Sequence, residues 1–530
     1  MLHFAFLSSY GGPMSHRVAV VGGGPGGLFL ATLIRRQDPR TEVVLFERNQ
    51  AEDAFGFGVV FSDATLRRID EADPVLRDAL ASHGRHWDHI EVWSHGERHA
   101  FAGNGMAAIH RRVLLGLLQA NARSVGVELR FGAVAPPVEV LQAEYDLVVG
   151  ADGTNSAVRD FVVDAGHSVE TARAKFIWFG TTHLFDGLTF VHRRSADGNF
   201  AVHGYPISDE LSTFIVETDE QTWRRAGMDA FDVSQPPGLS DTDSQGYLEN
   251  LFADDIGGAS LVANNSRWGN FRTRRTRKWH HGNVVLLGDA VHTAHFSVGS
   301  GTKMAMEDAV TLAAQLHRAW SGETDLEGAL QGYVAERSAS VTRIQDSARP
   351  SLSWWEHFGS YQRNLEPLTF AFHFFSRSIG IEKIAQRDPR LSSSVRAAWE
   401  ERHGAPVLES ELAIGPSGER IGRLLHLDAD GSMTDRAGRV VSPPLIDVPS
   451  TETGAAEAMA ELPATGVVGI GGADEIRKTL VSEEARLRHG LSTILIGAYD
   501  DEQVETILLA GRADAIARPA RRNGATDDDQ

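Results

Sequence analysis

Short, continuous apolar runs divide the chain and favour buried strands. Four of them end at a glycine or an acid: Val18–Val21, Val43–Phe46, Leu147–Val149 and Val284–Leu287. Runs that are apolar at every position are typical of parallel strands covered on both faces. Leu28–Arg36 and Met304–Leu316 each carry apolar residues at helical spacing after such a run. The pattern predicts an open α/β sheet with helices packed against it.

The pattern changes after about residue 171. Residues 176–182, 200–206 and 211–217 alternate in polarity, which predicts antiparallel strands inserted between two parts of the parallel sheet. Farther on, residues 330–344 and the aromatic stretch 351–375 predict helices. The predicted division is a leader (1–15), the first part of the parallel-sheet domain (16–170), an antiparallel-sheet domain (171–280), the return of the first domain with helices (281–400), a small α/β domain (401–522) and a disordered tail (523–530).

A glycine-rich turn follows the first apolar run. Gly22, Gly24 and Gly27 form G-x-G-x-x-G between a predicted strand and a predicted helix, which is the context of a dinucleotide-binding turn. Gly22 permits the turn, Gly24 admits a pyrophosphate to the backbone, and Gly27 lets the helix lie on the strand. Glu47 follows about 20 residues later, where a carboxylate accepts hydrogen bonds from ribose hydroxyls. These features predict a Rossmann-like domain that binds an adenine dinucleotide.

Two further strand ends carry an aspartate. Asp152 follows one run and Asp289 another, at the edge where open α/β sheets bind ligands. Gly299 and Gly301 then precede a helix whose free N–H groups would favour an anion or an electron-rich ring edge. A plain polar turn at Asp152 and an ordinary strand–loop–helix connection at Asp289 are the structural alternatives.

Composition excludes several classes of function. The chain has 51 Lys and Arg against 71 Asp and Glu, a net charge of −20, which argues against a general nucleic-acid binder. It has no cysteine, so disulfides, Cys-ligated zinc and iron–sulfur clusters are excluded, and no other metal-ligand spacing appears. No apolar run approaches the roughly 20 residues of a membrane span. A cytoplasmic enzyme without a metal is expected.

Three segments leave two interpretations open. Phe55–Phe61 could line a flat ring or belong to the core. Arg111 or Arg112, at a predicted helix start, opposes the helix dipole unless it faces a phosphate or carboxylate. The run Arg267–Trp279 contains six cations and could be an anion site or an edge strand guarded by outward arginines.

Taken together, the motifs resemble those of the single-component flavoprotein aromatic hydroxylases, over roughly residues 15–390. They occur in the order Gly22-x-Gly24-x-x-Gly27 with Glu47, Asp146–Arg159 with Asp152-Gly153, and Gly288-Asp289-Ala290-x-His292 with Gly299-x-Gly301. The resemblance implies bound FAD, NADH (or NADPH, with NADH favoured) as a transient electron donor, and O2. It also implies that no second Rossmann domain is needed for the nicotinamide.

One departure from the family pattern points to a branch. The family usually has a proline shortly before the last glycines, whereas this chain has His295-Phe296-Ser297-Val298-Gly299-Ser300-Gly301-Thr302. That run resembles the branch acting on aryl-CoA thioesters, in which the basic run would suit CoA phosphates. It implies 5-hydroxylation of salicylyl-CoA to gentisyl-CoA. The alternatives are 2-aminobenzoyl-CoA, a free aromatic acid or an indole, and, in a different class, a non-oxygenating FAD-binding reductase or redox-sensing module.

Motifs and resemblance together give the candidate site. The candidate cofactor contacts are Gly22, Gly24, Pro25, Gly26, Gly27, Glu47, Arg48, Arg111, Asp152, Gly288, Asp289, Gly299, Ser300, Gly301 and Thr302. The candidate substrate contacts are Phe57, His203, Tyr205, Arg274, Arg275 and Phe296. His295 is the candidate catalytic residue, for orienting the substrate or handling its phenol proton, and a packing role is preferred for His203.

The tail carries a second resemblance. Residues 497–519 are similar to the end of an old-yellow-enzyme barrel. Only about 130 residues follow Arg402, whereas a complete barrel needs about 200 at minimum. The tail is therefore expected to be a truncated barrel that packs on the hydroxylase or supports a homodimer.

Overall fold

The computed structural model describes residues 15–54, 56–62, 66–162, 166–232, 235, 238–296, 299–414 and 418–519. The predicted leader apart from Ser15, the predicted disordered tail, and Phe55, Ser297 and Val298 lie outside the described residues. Within the described ranges no helix is both long and apolar enough to cross a membrane.

The first part of the chain alternates strands and helices. Its elements are β1 (Arg17–Val21), α1 (Pro25–Gln37), β2 (Glu42–Glu47), β3 (Gly58–Ser62), α2 (Arg67–Ala72), α3 (Val75–His83), β4 (Arg85–Trp87), β5 (Ile90–Ser94), β6 (Glu97–Phe101), β7 (Met106–His110), α4 (Arg111–Ser124), β8 (Glu128–Phe131), α5 (Val138–Glu144), β9 (Leu147–Gly150) and α6 (Ala157–Phe161).

The middle of the chain is mostly antiparallel. Its elements are β10 (His167–Thr181), β11 (Leu188–Arg194), β12 (Asn199–Pro206), β13 (Ser212–Thr218), α7 (Glu220–Arg225), α8 (Thr242–Leu251), β14 (Leu261–Val262), β15 (Gly269–Thr276), β16 (His280–His281) and β17 (Val284–Leu286).

The four apolar runs form the centre of a six-stranded sheet of order β16-β17-β9-β1-β2-β8. The strands from β17 to β8 are parallel, and β1 pairs with β2 on one side and β9 on the other. Val18, Ala19 and Val20 are fully buried, as expected for a strand covered on both faces. The carboxyl ends of β1, β9 and β17 therefore open on one edge of the sheet, where the three predicted turns meet.

A second sheet of eight strands lies over that edge. Its order is β14-β10-β13-β12-β11-β5-β6, with β15 paired to β10. The pairs are antiparallel except β11 with β5, which belongs to the first part of the chain. A three-stranded sheet, β3-β7-β4, completes this layer. The alternating segments therefore form the predicted antiparallel sheet, which also recruits β5 and β6.

A helical region follows, and a small α/β unit ends the described chain. The helices are α9 (Gly301–Trp320), α10 (Leu326–Asn364), α11 (Pro367–Phe375), α12 (Ile381–Arg387) and α13 (Pro389–His403). The last elements are β18 (Glu411–Ile414), β19 (Glu419–Gly422), β20 (Leu424–Leu427), β21 (Met433–Asp435), β22 (Val440–Val441), β23 (Leu445–Asp447), α14 (Gly454–Ala460), β24 (Val467–Gly471), α15 (Glu475–His489), β25 (Ser492–Ile496), α16 (Asp501–Leu509) and β26 (Ala515–Pro519).

Helix α10 is longer than its sequence pattern predicts. It runs through Pro350 without a break, although proline removes a backbone hydrogen bond inside a helix. The helix continues because its second half buries Trp354, Trp355, Phe358 and Tyr361 against the second sheet and the C-terminal unit.

The C-terminal unit has a seven-stranded sheet of order β22-β21-β20-β26-β25-β24-β23. Its five strands from β20 to β23 are parallel, and α14, α15 and α16 connect consecutive neighbours. It joins the rest of the protein through buried polar contacts as well as apolar ones. Glu483 on α15 accepts a hydrogen bond from the Tyr361 hydroxyl, and its other oxygen lies 3.0 Å from His373 Nε2.

His192 on β11 makes the fold sensitive to acid. Its ring is buried among Trp355, Phe358 and Phe370, and neither ring nitrogen has a hydrogen-bond partner within the described chain. Burial lowers the pKa of His192 to about 3. The unfolded chain therefore binds a proton at a pKa of about 6.5 that the folded protein does not bind, so stability falls below that pH.

Replacing His192 should remove this dependence. We expect the unfolding free energy of His192→Phe, relative to the wild type, to rise by about 2 kcal/mol between pH 7.5 and pH 5. Urea titrations at the two pH values measure this difference. The exposed His489→Phe serves as the control and should show no such rise. An equal difference at both pH values for His192→Phe would contradict the assignment.

Candidate active site

A cavity of about 580 Å³ lies between the edge of the parallel sheet, the antiparallel sheet and the start of α9. Each of these parts of the fold lines one side of it. The site is therefore assembled from segments far apart in the sequence, at the carboxyl ends of parallel strands.

The first glycine turn forms one wall, lined by Gly24, Pro25, Gly26 and Gly27. Gly22 itself lies beneath this wall, with a φ of +114° and no space for a side chain, since a Cβ would lie 2.2 Å from the Ala151 carbonyl oxygen. A Cβ on Gly27 would lie 2.3 Å from the Gly22 carbonyl oxygen. These two glycines bring β1, β9 and α1 together, so that the N-terminus of α1 points at the cavity.

Glu47 orders the rim of this turn rather than lining the cavity. Its carboxylate accepts hydrogen bonds from the Gly23 amide at 2.7 Å and from the Asn49 amide and side chain at 2.8 Å. The adjacent Arg48 is exposed. Both lie at the end of β2, beside the first turn.

Asp289 and Arg111 place opposite charges in the cavity. Asp289 follows Gly288, whose φ is +63°, and its side chain is open to the cavity although protein surrounds it. Burial raises the pKa of Asp289, while His292 and Arg111 oppose the rise. Burial likewise lowers the pKa of Arg111, opposed by Asp289. Arg112 is exposed outside the cavity, so Arg111 is the one of the two that faces the site.

A buried aspartate, which the sequence reasoning missed, holds the Gly288–Asp289 turn. Asp308 on α9 accepts hydrogen bonds from the Gly288 amide at 3.0 Å and from Arg337 Nε at 2.7 Å, and lies 2.7 Å from His292 Nε2. Burial alone would raise the pKa of Asp308, but His292 and Arg337 outweigh it and hold the pKa below its usual value. Asp308 is therefore a buried carboxylate that fixes the turn from behind.

The N-terminus of α9 forms the floor of the cavity. Gly299, Ser300, Gly301 and Thr302 line it, and the first turn of the helix contains no acidic residue. The Ser300 side chain does not cap the helix, and its buried hydroxyl finds no hydrogen-bond partner within the described chain. The free N–H groups thus give this floor a partial positive charge.

Asp152 has the structural role that the sequence left open. Its carboxylate accepts hydrogen bonds from the Ser156 hydroxyl and, at 2.8 Å, from the Ala157 amide at the start of α6, whose N-cap is Ser156. The neighbouring Ala151, Gly153, Thr154 and Asn155 line the cavity, whereas Asp152 is not among its lining residues. In this structure Asp152 therefore shapes the loop from behind.

The side opposite the glycine turn is aromatic. Phe296, predicted as a substrate contact, packs against Phe176 with ring centroids 5.0 Å apart and against Trp178 at 6.1 Å. Sequence reasoning missed most of this wall, whose rings are Phe176, Trp178, Phe190, His203, Tyr205, Phe271 and Phe296. Alternate positions of β10, β11 and β12 supply several of them, so the two-residue period was the available signal.

Phe57 does not belong to this wall. The Phe57 ring lies against Gly180, since a Cβ on Gly180 would come within 2.7 Å of the ring. The ring also packs with Trp87, Ala108 and Tyr205. The prediction of Phe57 as a substrate contact is therefore corrected to a core residue. Gly58, Val59 and Val60 line the cavity instead, because β3 turns its backbone toward the site.

His203 lines the cavity and His295 lies behind it. His203 Nε2 is 2.7 Å from Glu217 Oε1, and both side chains are buried. Burial drives the pKa of His203 well below its usual value and that of Glu217 well above, which favours a pair without net charge. His295 Nε2 lies 4.0 Å from the other Glu217 oxygen, and its ring stacks on Phe296. His295 is not among the residues that line the cavity.

The basic run is divided by its strand. Arg272 and Arg274 line the cavity, and Arg274 donates a hydrogen bond to the Thr154 carbonyl at 3.3 Å. Arg275 points the other way and pairs with Asp346 on α10 at 2.9 Å. Because successive residues of a strand face opposite sides, the two predicted anion contacts cannot act together, and Arg275 is corrected to a structural ion pair. The described residues contain no group of three or more His, Cys, Asp or Glu side chains that could hold a metal.

Comparisons with known proteins identify the family. The sequence model of the FAD binding domain family matches residues 15–348. The chain is 52% identical over 517 residues to a salicyloyl-CoA 5-hydroxylase of Streptomyces, which covers 94% of this chain and 99% of that protein. It is 35% identical over 340 residues to the 3-hydroxy-4-methyl-anthranilyl-(aryl-carrier protein) 5-monooxygenase of Streptosporangium sibiricum, covering 64% and 89%.

Structural comparison agrees at the level of the fold. The crystal structure of P. aeruginosa PqsL in complex with 2-aminobenzoylacetate aligns with a TM-score of 0.51 and 23% identity, covering 65% of this chain and 97% of that one. The relatives are FAD-dependent aromatic monooxygenases, which use FAD with NAD(P)H and O2. The chain belongs to the FAD binding domain family and is an FAD-dependent aromatic monooxygenase.

Proposed function

We propose that this enzyme hydroxylates salicylyl-CoA at ring position 5, giving gentisyl-CoA. The observation that carries the proposal is the 52% identity to the Streptomyces enzyme over 99% of that enzyme's length. The aromatic wall opposite the glycine turn supports it, since it offers a flat aryl group rings to pack against. The hydroxyl group of the substrate activates the ring carbon para to it, which is position 5.

The cavity fits FAD on features of its own. A Cβ on Gly24 or Gly301 would meet no atom within 4 Å, so both backbones are open to a ligand. The uncapped α9 floor and the unpaired Ser300 hydroxyl offer donors to an electron-rich ring edge. We assign the pyrophosphate to the turn lined by Gly24–Gly27, the ribose to Glu47 with Arg48 beside it, and the flavin end to Arg111, Asp289 and the α9 floor.

The redox chemistry belongs to the cofactor, whereas the protein binds and orients the substrate. When bound, FAD would supply the redox chemistry, with electrons from NAD(P)H and with O2 giving one oxygen atom to the ring and the other to water. The protein orients the ring against the aromatic wall and excludes water from the cavity. His203 lines the cavity where its ring can hydrogen-bond to the substrate hydroxyl, and Glu217 lies 2.7 Å from its Nε2. His295 supports Phe296 and Glu217 from behind, and Tyr205 contacts the ring.

Arg111 offers a direct test of the cofactor assignment. Arg111→Ala should raise the dissociation constant for FAD about tenfold or more, because a charge-assisted contact contributes about 1.5–3 kcal/mol. Titration of apoprotein with FAD, followed by flavin fluorescence, measures it. Arg112→Ala, one residue along the same helix but exposed, is the matched control and should bind FAD as the wild type does. Equal dissociation constants for the two variants would refute the assignment.

Arg272 and Arg274 give the cavity a cationic edge. No ion pair of the described chain involves either side chain, and one guanidinium nitrogen of Arg274 is buried without a partner. We propose that this edge attracts the phosphates of NAD(P)H when the electron donor visits the cavity.

A substrate panel tests the main proposal. Holoenzyme is assayed for NADH oxidation and hydroxylated product with salicylyl-CoA, 2-aminobenzoyl-CoA and the two free acids. Salicylyl-CoA should give the highest kcat/KM, with one product hydroxylated at position 5. A higher kcat/KM for 2-aminobenzoyl-CoA would make that ester the proposed substrate. Equal kcat/KM values for free salicylate and salicylyl-CoA would refute the proposal that the enzyme requires a CoA ester.

Four finer expectations accompany the proposal. They are NADH rather than NADPH as donor, a homodimer, a cytoplasmic location, and a C-terminal unit derived from a barrel. Consecutive parallel strands β23 to β26 joined by helices support the last of these. Steady-state kinetics with both donors and light scattering of the holoenzyme test the first two.

A further inference from the structure

We infer that the pantetheine arm of the CoA ester occupies a second cavity, between the α10–α11 region and the C-terminal unit, which it enters past Arg377. This inference rests on the proposed aryl-CoA function. It gives the C-terminal unit a role in binding substrate, which neither the FAD binding domain match over residues 15–348 nor the known chemistry of the flavin assigns.

The first cavity has too little space for both ligands. It measures about 580 Å³. Pockets of roughly 300–1,000 Å³ hold one drug-sized ligand. The flavin and the aryl group already share this volume if the proposed function holds. The remainder of a CoA ester, which is larger than the aryl group itself, must therefore lie outside the cavity.

A second cavity of about 730 Å³ adjoins the first. Ser353 and Trp354 on α10 and the loop 376–380 form one wall. Thr479 on α15 and Ile507 on α16 are part of the opposite wall, so the C-terminal unit supplies half of the enclosure. Arg377 lines both cavities, and the two therefore meet at this side chain.

The guanidinium of Arg377 can donate a hydrogen bond to a ligand at that junction. Its Nε donates to the Ser351 hydroxyl at 3.0 Å and its Nη1 to the Phe374 carbonyl at 2.7 Å, with the guanidinium 3.8 Å from the Phe374 ring centroid. None of the ion pairs of the described residues includes it. Its guanidinium is half-buried and interacts with the Glu217 carboxyl only beyond ion-pair distance, so an acceptor supplied by a ligand would stabilise it. The thioester carbonyl of a CoA ester that spans the two cavities would supply this acceptor.

The lining of the second cavity fits an uncharged chain bearing amides. Its carboxylates already have partners. Glu483 contacts Tyr361 and His373, Glu475 pairs with Lys478 at 2.9 Å, Glu502 accepts from the amide of residue 382 at 3.2 Å, and Asp500 caps α16. These four acids outnumber the two lining cations, Arg377 and Arg512, so the net charge of the lining disfavours a pyrophosphate. Thr479, Gln503 and Ser378 can bond to amide groups. The pantetheine arm, which is neutral and carries two amides, matches this surface better than the nucleotide end.

Filling the cavity tests the inference in the holoenzyme. Thr479→Trp and Ser378→Trp place a large ring on opposite walls. Each should lower kcat/KM for salicylyl-CoA about tenfold or more relative to kcat/KM for the N-acetylcysteamine thioester of the same acid, which lacks most of the arm. Val440→Trp, on an exposed strand of the same unit, is the matched control and should leave that ratio unchanged.

The outcomes separate the two proposals. If the wild type does not distinguish salicylyl-CoA from free salicylate, the proposed function fails before any variant is made. Equal losses on both thioesters, or no loss on either, would overturn the cavity assignment alone. Hydrogen exchange on the wild type gives a check that does not depend on a variant folding. Residues 475–483 should be protected by salicylyl-CoA and not by the truncated thioester, and absence of that protection would also overturn it.

Discussion

Asp308→Ala is expected to destabilise the protein by about 3–5 kcal/mol, because it breaks a buried ion pair on one side only. The Asp308 and Arg337 side chains are both about 1% exposed or less, and after the substitution only Glu307, at 3.1 Å, would remain as an ion-pair partner of Arg337 among the described residues. The substitution also frees the Gly288 amide and His292, so the turn that carries Asp289 loses its support. Urea unfolding of the apoprotein measures the loss, and FAD affinity should fall with it.

Glu323→Ala provides the matched control. Glu323 pairs with Arg318, at the other end of α9, but both side chains are more than half exposed. Exposed pairs contribute about 0–1 kcal/mol, so this variant should unfold close to the wild type. Comparable losses from the two substitutions would show that Asp308 is not the support of the turn.

His203→Phe is expected to lower kcat/KM for salicylyl-CoA about tenfold, because the substrate hydroxyl loses a hydrogen-bond partner that contributes about 0.5–1.5 kcal/mol. The phenyl ring keeps the place of the imidazole between Phe190 and Trp355, whose centroids lie 4.8 Å and 4.3 Å from it, but it cannot hydrogen-bond to the substrate. NADH oxidation should continue, with hydrogen peroxide replacing part of the hydroxylated product. Glu217→Gln, which keeps the shape of the pair, should cost less, about threefold.

The pH profile distinguishes a hydrogen-bonding role from packing. If His203 hydrogen-bonds to the substrate hydroxyl, the loss caused by His203→Phe should change as the pH rises and the hydroxyl ionises, because a phenol and a phenolate make different hydrogen bonds to the ring. A loss that is the same at every pH would assign His203 to packing alone. His183→Phe is the control, because His183 packs against Phe185 in the connection between β10 and β11, outside the cavity, and the variant should behave as the wild type.

The site residues fall into two groups, those whose role is visible in the local sequence and those whose role is not. Gly24, Gly288 and Gly301 were readable because a turn that approaches a ligand imposes glycine locally. Asp308 and Glu217 carried no local signal, since a buried carboxylate on a helix or strand is defined by partners distant in sequence. Arg275 was misassigned because its neighbours in sequence face the cavity whereas its own side chain faces α10.

The sequence by itself determined the parallel strands, the glycine turns at their carboxyl ends and the family that they indicate. Apolar runs, strand–turn–helix spacing and turn glycines are all properties of short segments, so they can be read without the fold. The tertiary structure alone decided which rings form the aromatic wall, which arginine faces the cavity, and that the C-terminal unit encloses a second cavity at Arg377. These depend on contacts between β10, β12, α10 and α15, which no local pattern specifies.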